Sequence, residues 1–213
     1  MEQYTEKYHN KLHKHLLSNK AYYEFRAKYS SKTYLRYLHG RVFEFGCGIG
    51  QNIYNIKDKA IGIDISEFAI RECNKRGVKA VNKVEALKGS YDGCLSVHVM
   101  EHLENPSLIL KRINSRLKKN GRLVLVLPVL RRNVPENRDF GSDISRHIYY
   151  WNFSAINSLL VNSGFKIMLN KFNYARGFSL FYSLPFKLAI FFVRFFGFIT
   201  NTKEMVIVAE KSF

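Results

Sequence analysis

The sequence predicts an α/β fold, a doubly wound and mostly parallel sheet of seven strands with helices on both faces. Three observations predict it. Apolar runs that are typical of buried strands alternate with segments of helical pattern along the 213 residues, and such alternation produces a parallel sheet. A glycine-rich stretch with Gly46, Gly48 and Gly50 directly follows the first apolar run. Asp64 ends the second run, at the sheet edge where ligands of these folds bind.

The elements follow one another along the chain without an internal repeat. Residues 4–39 are polar, aromatic and basic, and we interpret them as one or two helices of an N-terminal lid segment, residues 1–40, before a main domain at residues 41–213. The predicted strands are residues 41–46, 60–64, 78–82, 91–99, 122–129, 165–172 and 204–211. The predicted helices are residues 51–58, 66–77, 105–121 and 152–164. Ser66 is a good N-cap, Asn152 or Ser154 is the candidate cap of the last helix, and Gly77 and Gly121 suit helix ends.

The length fits one domain with a full core, but the charge is unusual. The formal net charge is +17, which favours anionic partners such as nucleic acid, a membrane surface or phosphorylated substrates. A general bias of composition is the alternative, because the sequence is also rich in Lys, Asn, Ile, Phe and Tyr. The three cysteines have no CxxC spacing and indicate neither a disulfide framework nor a zinc site. The N-terminus is too polar for a secretory signal, and we expect a cytoplasmic protein.

The spacing Gly-x-Gly-x-Gly after a strand suits a ligand that approaches the backbone closely. Dinucleotide-binding loops use Gly-x-Gly-x-x-Gly instead, and Gln51 stands near the place of their third glycine. Asp64 is well placed to accept hydrogen bonds from ribose hydroxyls. The alternatives are a glycine-rich turn without a ligand, and an Asp64 that only caps the helix behind it.

Five segments of the chain carry a family resemblance. They read VFEFGCGIG, GIDIS, YDGCLSVHVMEHLENP, LKKNGRLVLVLP and RHIYYWNFSAINSLLVNSGFKI, in this order. The set resembles the motifs of the class I S-adenosylmethionine-dependent methyltransferases, and the Glu-His pair with its following NP is similar to their small-molecule branch. The resemblance covers about residues 41–172 and 204–211. It implies a Rossmann-like methyltransferase fold, S-adenosyl-L-methionine as cofactor, and methyl transfer as the activity.

The resemblance also implies a role for each matching residue. The glycine loop would meet the methionine part of the cofactor, Asp64 would hold the ribose, and Ile65 would pack beside the adenine. Glu44 matches an acidic residue that reaches the cofactor's amino group, although aspartate is commoner there. Residues 83–86 match a loop at the adenine edge. The cofactor-binding residues implied in this way are Glu44, Gly46, Cys47, Gly48, Gly50, Asp64, Ile65, Val84, Ser96 and Val97.

Two histidines are the candidate catalytic residues. His98 ends the fourth predicted strand, where the resemblance places the transferred methyl group, and His147 resembles a histidine that borders the acceptor pocket. An imidazole near its ordinary pKa of about 6.5 can take a proton from a hydroxyl acceptor. The alternative for His147 is a histidine that is hydrogen-bonded into the pocket wall. We interpret His102 as structural, and we predict no metal site.

Residues 174–202 form a hydrophobic insert between the sixth and seventh predicted strands. Its centre, FSLFYSLPFKLAIFFVRFFGFIT at residues 178–200, is rich in aromatic residues and carries Lys187 and Arg194 on one helical face. This pattern favours a helix lying in the interface of an anionic membrane. The alternatives are a lid over an apolar pocket, a homodimer contact, and a true membrane span, for which the apolar run is short.

Three functions fit the sequence. The leading one is a methyltransferase that acts on a small molecule, and the insert favours a lipid, a quinone or a membrane-attached glycan. An RNA or protein methyltransferase is supported only by the charge, and SVHV differs from the Asn/Asp-Pro-Pro-aromatic pattern of nucleic-acid amino methylation. A non-catalytic cofactor-binding module is the third, and the intact glycine loop with Asp64 argues against it.

Overall fold

The computed structural model describes residues 6–129 and 147–212, and a seven-stranded sheet forms its centre. The strands are β1 Val42–Phe45, β2 Ala60–Ile63, β3 Ala80–Val81, β4 Tyr91–Val97, β5 Leu117–Pro128, β6 Phe165–Tyr174 and β7 Lys203–Lys211. Their order across the sheet is β3-β2-β1-β4-β5-β7-β6. Strands β1 to β5 pair in parallel, and β7 is antiparallel to both β5 and β6. The predicted fold class is confirmed.

Helices cover both faces of this sheet. They are α1 Glu6–Leu12, α2 Lys14–Ser18, α3 Lys20–Thr33, α4 Glu67–Lys75, α5 Pro106–Arg116, α6 Phe153–Asn162, α7 Phe178–Phe181 and α8 Phe186–Ile199. One core cluster joins α5 and α6 to the sheet, and a second joins α3, α4 and α8 to it. Leu123 and Leu125 belong to the first cluster, and Val124 and Val126 to the second. Because side chains alternate along a strand, the two clusters lie on opposite faces.

Helix ends follow the capping residues in three places. Ser66 accepts a hydrogen bond from the backbone N–H of Ala69 at the start of α4, and Gly77 behind that helix has a positive φ of 76°. Asn152 accepts from the N–H of Ala155 at the start of α6 in the same way. These local signals act within one turn of the chain, so the sequence alone predicts them well.

Two helix predictions were wrong in their extent. Residues 51–58 do not form an α-helix, since a turn leads into a 3-10 helix at Tyr54–Lys59. The helix predicted to end at Gly121 ends at Arg116, because Leu117 is buried and pairs with Tyr91 of β4. Sheet pairing therefore outweighs the helical pattern after residue 116. In the described part of the N-terminal segment, residues 6–40, the structure has three α-helices and a 3-10 helix at Leu35–Tyr37 rather than one or two helices.

Helix α8 has one buried and one exposed face. Ala189, Val193 and Gly197 are buried, and a side-chain atom at Gly197 would meet the backbone N of Ala175 at 2.4 Å, so glycine permits this close approach. The exposed face is apolar, and we call it the α8 apolar surface. Its residues are Leu188, Phe191, Phe195, Phe198 and Ile199. Within residues 6–129 and 147–212, no helix has the length and apolar character needed to cross a membrane.

Candidate active site

A cavity of about 1070 Å³ lies where the parallel strands end. Its lining combines the loop after β1, the residues that follow β2 and β4, the first residues of β7, and the helices α1 to α3. Strand β7 contributes its start rather than its end because it runs antiparallel to its neighbours. The volume is at the upper end of the range of about 300–1,000 Å³ for pockets that hold one small molecule. It leaves room for a cofactor and an acceptor together.

The glycine loop, residues 46–50, forms one wall of the cavity. Gly46 and Gly48 have positive φ values of 74° and 52°, which glycine adopts without steric cost. A side-chain atom at Gly46 would meet Val99 Cγ2 at 2.2 Å, whereas one at Gly48 would meet no atom within 4 Å. The backbone at Gly48 is therefore open, and a ligand can approach it closely.

Asp64 stands at the end of β2 and ties the glycine loop to the start of α4. Its Oδ2 accepts a hydrogen bond from Gly48 N at 2.8 Å, and its Oδ1 accepts from Ser66 N at 2.9 Å. Burial raises the pKa of Asp64, although the backbone N–H donors oppose this. Each carboxylate oxygen has a second lone pair, so the group can also accept from ligand hydroxyls. Its exposed neighbour Ile65 offers an apolar surface in the same cavity.

The predicted cofactor residues divide into two groups. Gly46, Cys47, Gly48, Asp64, Ile65 and Val97 line the cavity. Glu44, Gly50, Val84 and Ser96 do not line it. Val84 belongs to the hydrophobic core and Ser96 is fully buried, so the structure places these two side chains behind the wall.

Glu44 is also behind the wall, with its side chain fully buried. Its Oε1 accepts a hydrogen bond from Asn52 Nδ2 at 2.6 Å, and its Oε2 has no hydrogen-bond partner among the described residues. Burial raises the pKa of Glu44 well above its usual value. The predicted contact with the cofactor's amino group stays a prediction. In this structure Glu44 supports the loop through Asn52.

His98 faces the cavity and is paired with an acid from another strand. The residue has a positive φ of 55°, a strained conformation that is common at functional sites. Its Nε2 lies 3.1 Å from Glu204 Oε2 at the start of β7, and its side chain is 44% exposed. Burial lowers the pKa of His98, but the hydrogen bond and the charge of Glu204 outweigh it, so that the pKa is raised above its ordinary value.

Glu204 is held by several donors. Its Oε1 accepts from the Tyr34 hydroxyl and from Asn173 Nδ2, and Asn173 Nδ2 also donates to the Tyr29 hydroxyl. Burial raises the pKa of Glu204, but His98 and the other donors outweigh this and lower it. The carboxylate therefore stays charged beside the imidazole. The sequence did not reveal this pair, because 106 positions separate its members.

The N-terminal helices form the opposite side of the lining. His9 in α1 bonds to Ser66 Oγ at 3.0 Å, which connects the segment to the residues behind β2. Arg26 in α3 also lines the cavity, with its guanidinium carbon 4.2 Å from the ring centre of Phe178. Gln51 lines it too, and its buried Oε1 has no hydrogen-bond partner among the described residues. Sequence reasoning missed Arg26 and Gln51, because neither belongs to a motif with a fixed spacing.

His147 lies in the cavity lining beside Glu101 and His102. Its Nε2 is 3.9 Å from Glu101 Oε1, and the Nε2 of His102 is also 3.9 Å from that oxygen. Burial raises the pKa of Glu101. We predicted no metal site, yet ligand atoms of these three residues lie within 4.8 Å of one another. Glu101 and His102 follow β4, whereas His147 comes from a distant segment of the chain. No spacing pattern in the sequence therefore predicts this cluster.

The fold and site together define a class of protein. The sheet has β7 antiparallel between β5 and β6, a glycine loop follows β1, and an acidic residue follows β2. These are the features of a class I S-adenosylmethionine-dependent methyltransferase. A family model described as a methyltransferase domain matches residues 16–170. The chain belongs to this family, and its cofactor is S-adenosylmethionine.

Solved structures of methyltransferases have the same fold. A methyltransferase of Thermotoga maritima, described as a possible histamine N-methyltransferase, superimposes with a TM-score of 0.63 at 18% identity over 97% of both chains. A putative methyltransferase of Haloferax volcanii, in complex with the Trm112 activator, gives 0.63 at 15% identity over 90% of this chain and 91% of that one. Magnesium protoporphyrin IX methyltransferase from Synechocystis, with bound cofactor, gives 0.55 at 16% identity over 90% and 80%. None of the curated protein sequences matches the chain.

Proposed function

We propose that the protein methylates a hydroxyl oxygen of a small, lipid-like acceptor at an anionic membrane surface. The observation that carries the chemistry is the His98–Glu204 pair at the strand ends, with an imidazole exposed in the cavity and a carboxylate behind it at 3.1 Å. This arrangement is that of a general base with an orienting acid.

The cavity lining suits the cofactor. The open backbone at Gly48 fits the close approach of its methionine part, Asp64 fits the ribose hydroxyls, and Ile65 fits the adenine face. The guanidinium of Arg26 would pair with the cofactor's carboxylate, and Gln51 has a free buried oxygen for its ammonium group. The bound cofactor supplies an electrophilic methyl group on a positively charged sulfur.

His98 is proposed to remove the acceptor's proton. When neutral, its Nε2–H donates to Glu204, which leaves the lone pair of Nδ1 to accept a proton. With the proton of the hydroxyl taken up by His98 Nδ1, an electron pair of the acceptor oxygen would be available for the methyl group that the bound cofactor would supply. Glu204 stabilises the resulting imidazolium, while the cavity holds the reactants in line.

The insert supports a lipid-like acceptor. The residues of the α8 apolar surface are between 45% and 67% exposed, and Lys187 and Arg194 are exposed on the same helix. The first residue of α7, Phe178, lines the cavity, as does Ala175 just before it. One segment thus joins an exposed apolar surface with adjacent basic residues to the cavity wall. This is the arrangement that an enzyme needs if its acceptor resides in an anionic bilayer.

The proposal is tested by incubating the purified protein with methyl-labelled cofactor and a membrane lipid extract. We expect label in an organic-soluble product, carried on an ether oxygen that survives alkaline treatment. Label that is released by mild alkali would indicate an ester instead, and label on nitrogen or carbon would contradict the hydroxyl acceptor. Extracts of soluble metabolites serve as the comparison, and turnover only with them would contradict the lipid-like acceptor.

A second candidate is an RNA methyltransferase, because the net charge of +17 favours a polyanionic substrate. Counterion release would make RNA binding fall steeply with salt concentration. Label transferred to an RNA fraction, together with such a salt dependence, would replace the lipid-like acceptor with RNA.

A further inference from the structure

A cluster of side chains in the cavity carries nitrogen and oxygen atoms that have no role in the proposed proton transfer. It consists of Glu101 and His102 in the 3-10 helix Met100–His102, and of His147. The backbone O of Glu101 accepts hydrogen bonds from Ile148 N at 2.8 Å and Tyr149 N at 3.1 Å. These two bonds fasten the segment of His147 to the residue that carries the carboxylate, so backbone structure holds the three side chains together.

The carboxyl group at the centre of this cluster is buried. Glu101 is fully buried, and neither of its carboxyl oxygens has a hydrogen-bond partner among the described residues. A buried carboxylate is costly unless it pairs with cations or coordinates a metal. The Nε2 atoms of His102 and His147 both lie 3.9 Å from Glu101 Oε1. A few tenths of an ångström of side-chain movement would bring all three atoms onto one ion.

We infer that Glu101, His102 and His147 bind a divalent transition-metal ion of the zinc type. Two imidazoles and one carboxylate form a donor set found at catalytic zinc sites, in which a fourth position stays open for water or substrate. Magnesium and calcium prefer oxygen ligands alone, so the histidines argue against them. All three residues line the cavity, and their imidazoles are 17% and 19% exposed, so an ion can enter from it.

The role of this ion rests on the proposed function, but its binding does not. An acceptor hydroxyl in the open position would be oriented by the ion and would lose its proton more readily, since metal-bound oxygen acids have lowered pKa values. The ion would thus position the acceptor oxygen, and His98 would still take the proton.

Binding is tested on untagged protein that has been treated with a chelator and then dialysed. We expect calorimetry with Zn²⁺, and visible absorption with Co²⁺, to show one ion per chain without any cofactor or acceptor present. Glu101→Gln keeps the side-chain shape and removes the charge, and it should weaken binding at least about a hundredfold, more than the loss of an outer-shell partner. Glu104→Gln, an acid in the same lining, is the matched control and should bind like the wild type.

His147→Gln provides a second variant, since His147 lies outside helices and strands and a substitution there is least able to prevent folding. Thermal unfolding and affinity for S-adenosylhomocysteine report the integrity of each variant. The inference is overturned if wild-type protein shows no saturable binding, or if both Glu101→Gln and His147→Gln bind the ion as tightly as Glu104→Gln. A protein that binds the ion but methylates no hydroxyl acceptor would overturn the proposed function alone.

Discussion

Two carboxyl groups are built in contrasting ways, the fully buried Glu44 in the half of the site around the glycine loop and the partly buried Glu204 in the half around His98. Glu44 in β1, beneath the glycine loop, accepts a single side-chain hydrogen bond, from Asn52, and burial raises its pKa well above the usual value. Glu204 in β7 accepts from Tyr34, Asn173 and His98, and its pKa is lowered despite burial.

The number of donors determines which way the pKa of a carboxyl group shifts on burial. Glu44 has one side-chain donor and a raised pKa, and in this cofactor half the glycine loop offers an open backbone and Asp64 a carboxylate to a ligand. Under the proposed function, the charge of Glu204 in the acceptor half orients His98 and stabilises its protonated form. The proposal thus assigns Glu204 to the chemistry and leaves Glu44 as a support of the glycine loop, and the predictions below test this contrast.

The largest effect is expected in the acceptor half, at His98. The variant His98→Gln keeps a donor toward Glu204 but cannot take a proton, so kcat should fall by about 10²–10⁴, the contribution of a general base. Affinity for S-adenosylhomocysteine, measured by calorimetry, should stay within about twofold because the glycine loop is untouched. His39→Gln at an exposed position is the control. An unchanged kcat in folded His98→Gln protein would remove the residue from the mechanism.

The next effect is expected in the cofactor half, at Asp64. Replacing its carboxylate in Asp64→Ala removes a charged acceptor for ribose hydroxyls and should cost about 1.5–3 kcal/mol of cofactor binding, or roughly tenfold to a hundredfold in Kd. Because Asp64 also accepts from Gly48 N and Ser66 N, thermal unfolding must show that the variant is folded. Asp58→Ala, at an exposed position, should bind normally. Equal affinities for both variants would contradict the assignment.

The two halves also differ in how far the sequence predicts them. The glycine loop and Asp64 lie close together in sequence, and their spacing alone indicated a ligand at the strand ends. The family resemblance pointed to Glu44 but not to the direction of its carboxyl group, which a hydrogen bond from Asn52 determines.

The acceptor half depends on contacts between distant segments. His98 was a candidate because the resemblance places the transferred methyl group after the fourth strand. Its partner Glu204 is set by the antiparallel placement of β7, and the Asn173–Tyr29 contact by the packing of β6 on α3. No local pattern encodes such contacts. The end of α5 was predicted wrongly for the same reason, because Leu117 pairs with Tyr91 of β4 and does not continue the helix.

A third prediction compares the free energies of unfolding of Glu44→Gln and Glu204→Gln across pH. The pKa of Glu44 in the folded protein is raised above its ordinary value of 4.5. Its contribution to the free energy of unfolding of the wild type is therefore fully present below pH 4.5 and is lost as pH rises toward the folded pKa. The Glu44→Gln variant has no titrating group at this position. Its free energy of unfolding should therefore rise relative to that of the wild type by up to about 1.4 kcal/mol for each pH unit above 4.5.

Glu204→Gln should behave in the opposite way. The folded pKa of Glu204 is lowered below 4.5, so its stabilisation is present above that pH and is lost as pH falls through the folded pKa. The variant should be less stable than the wild type at pH 7, and the difference should shrink in acid. Denaturant unfolding at several pH values measures both curves. Parallel curves for the two variants would show that the two carboxyl groups are alike and would remove the contrast.

A fourth prediction concerns Lys187 and Arg194 beside the α8 apolar surface. Each basic residue near an anionic bilayer contributes about 1 kcal/mol of binding, so changing both to Glu should weaken binding to anionic liposomes at least about thirtyfold. Sedimentation should show less binding to neutral liposomes and less again at high salt, since salt screens exposed charges. The paired change Lys111→Glu and Lys119→Glu, at exposed positions of α5 and β5, alters the net charge equally and should leave liposome binding nearly intact.

The apolar part of the same surface separates a membrane contact from a lid or a dimer. Phe191→Ser and Phe195→Ser remove exposed rings that stack on each other, so a membrane contact predicts weaker sedimentation with liposomes and normal turnover of a soluble acceptor analogue. A lid predicts the reverse, with no liposome binding and impaired turnover in detergent-free solution. A dimer contact predicts a concentration-dependent change of mass in the ultracentrifuge. Helix α8 lies between β6 and β7 in the chain, and β7 carries Glu204, the partner of His98. Of these results, only membrane contact would support a methyl acceptor that comes from the bilayer and loses its proton to His98.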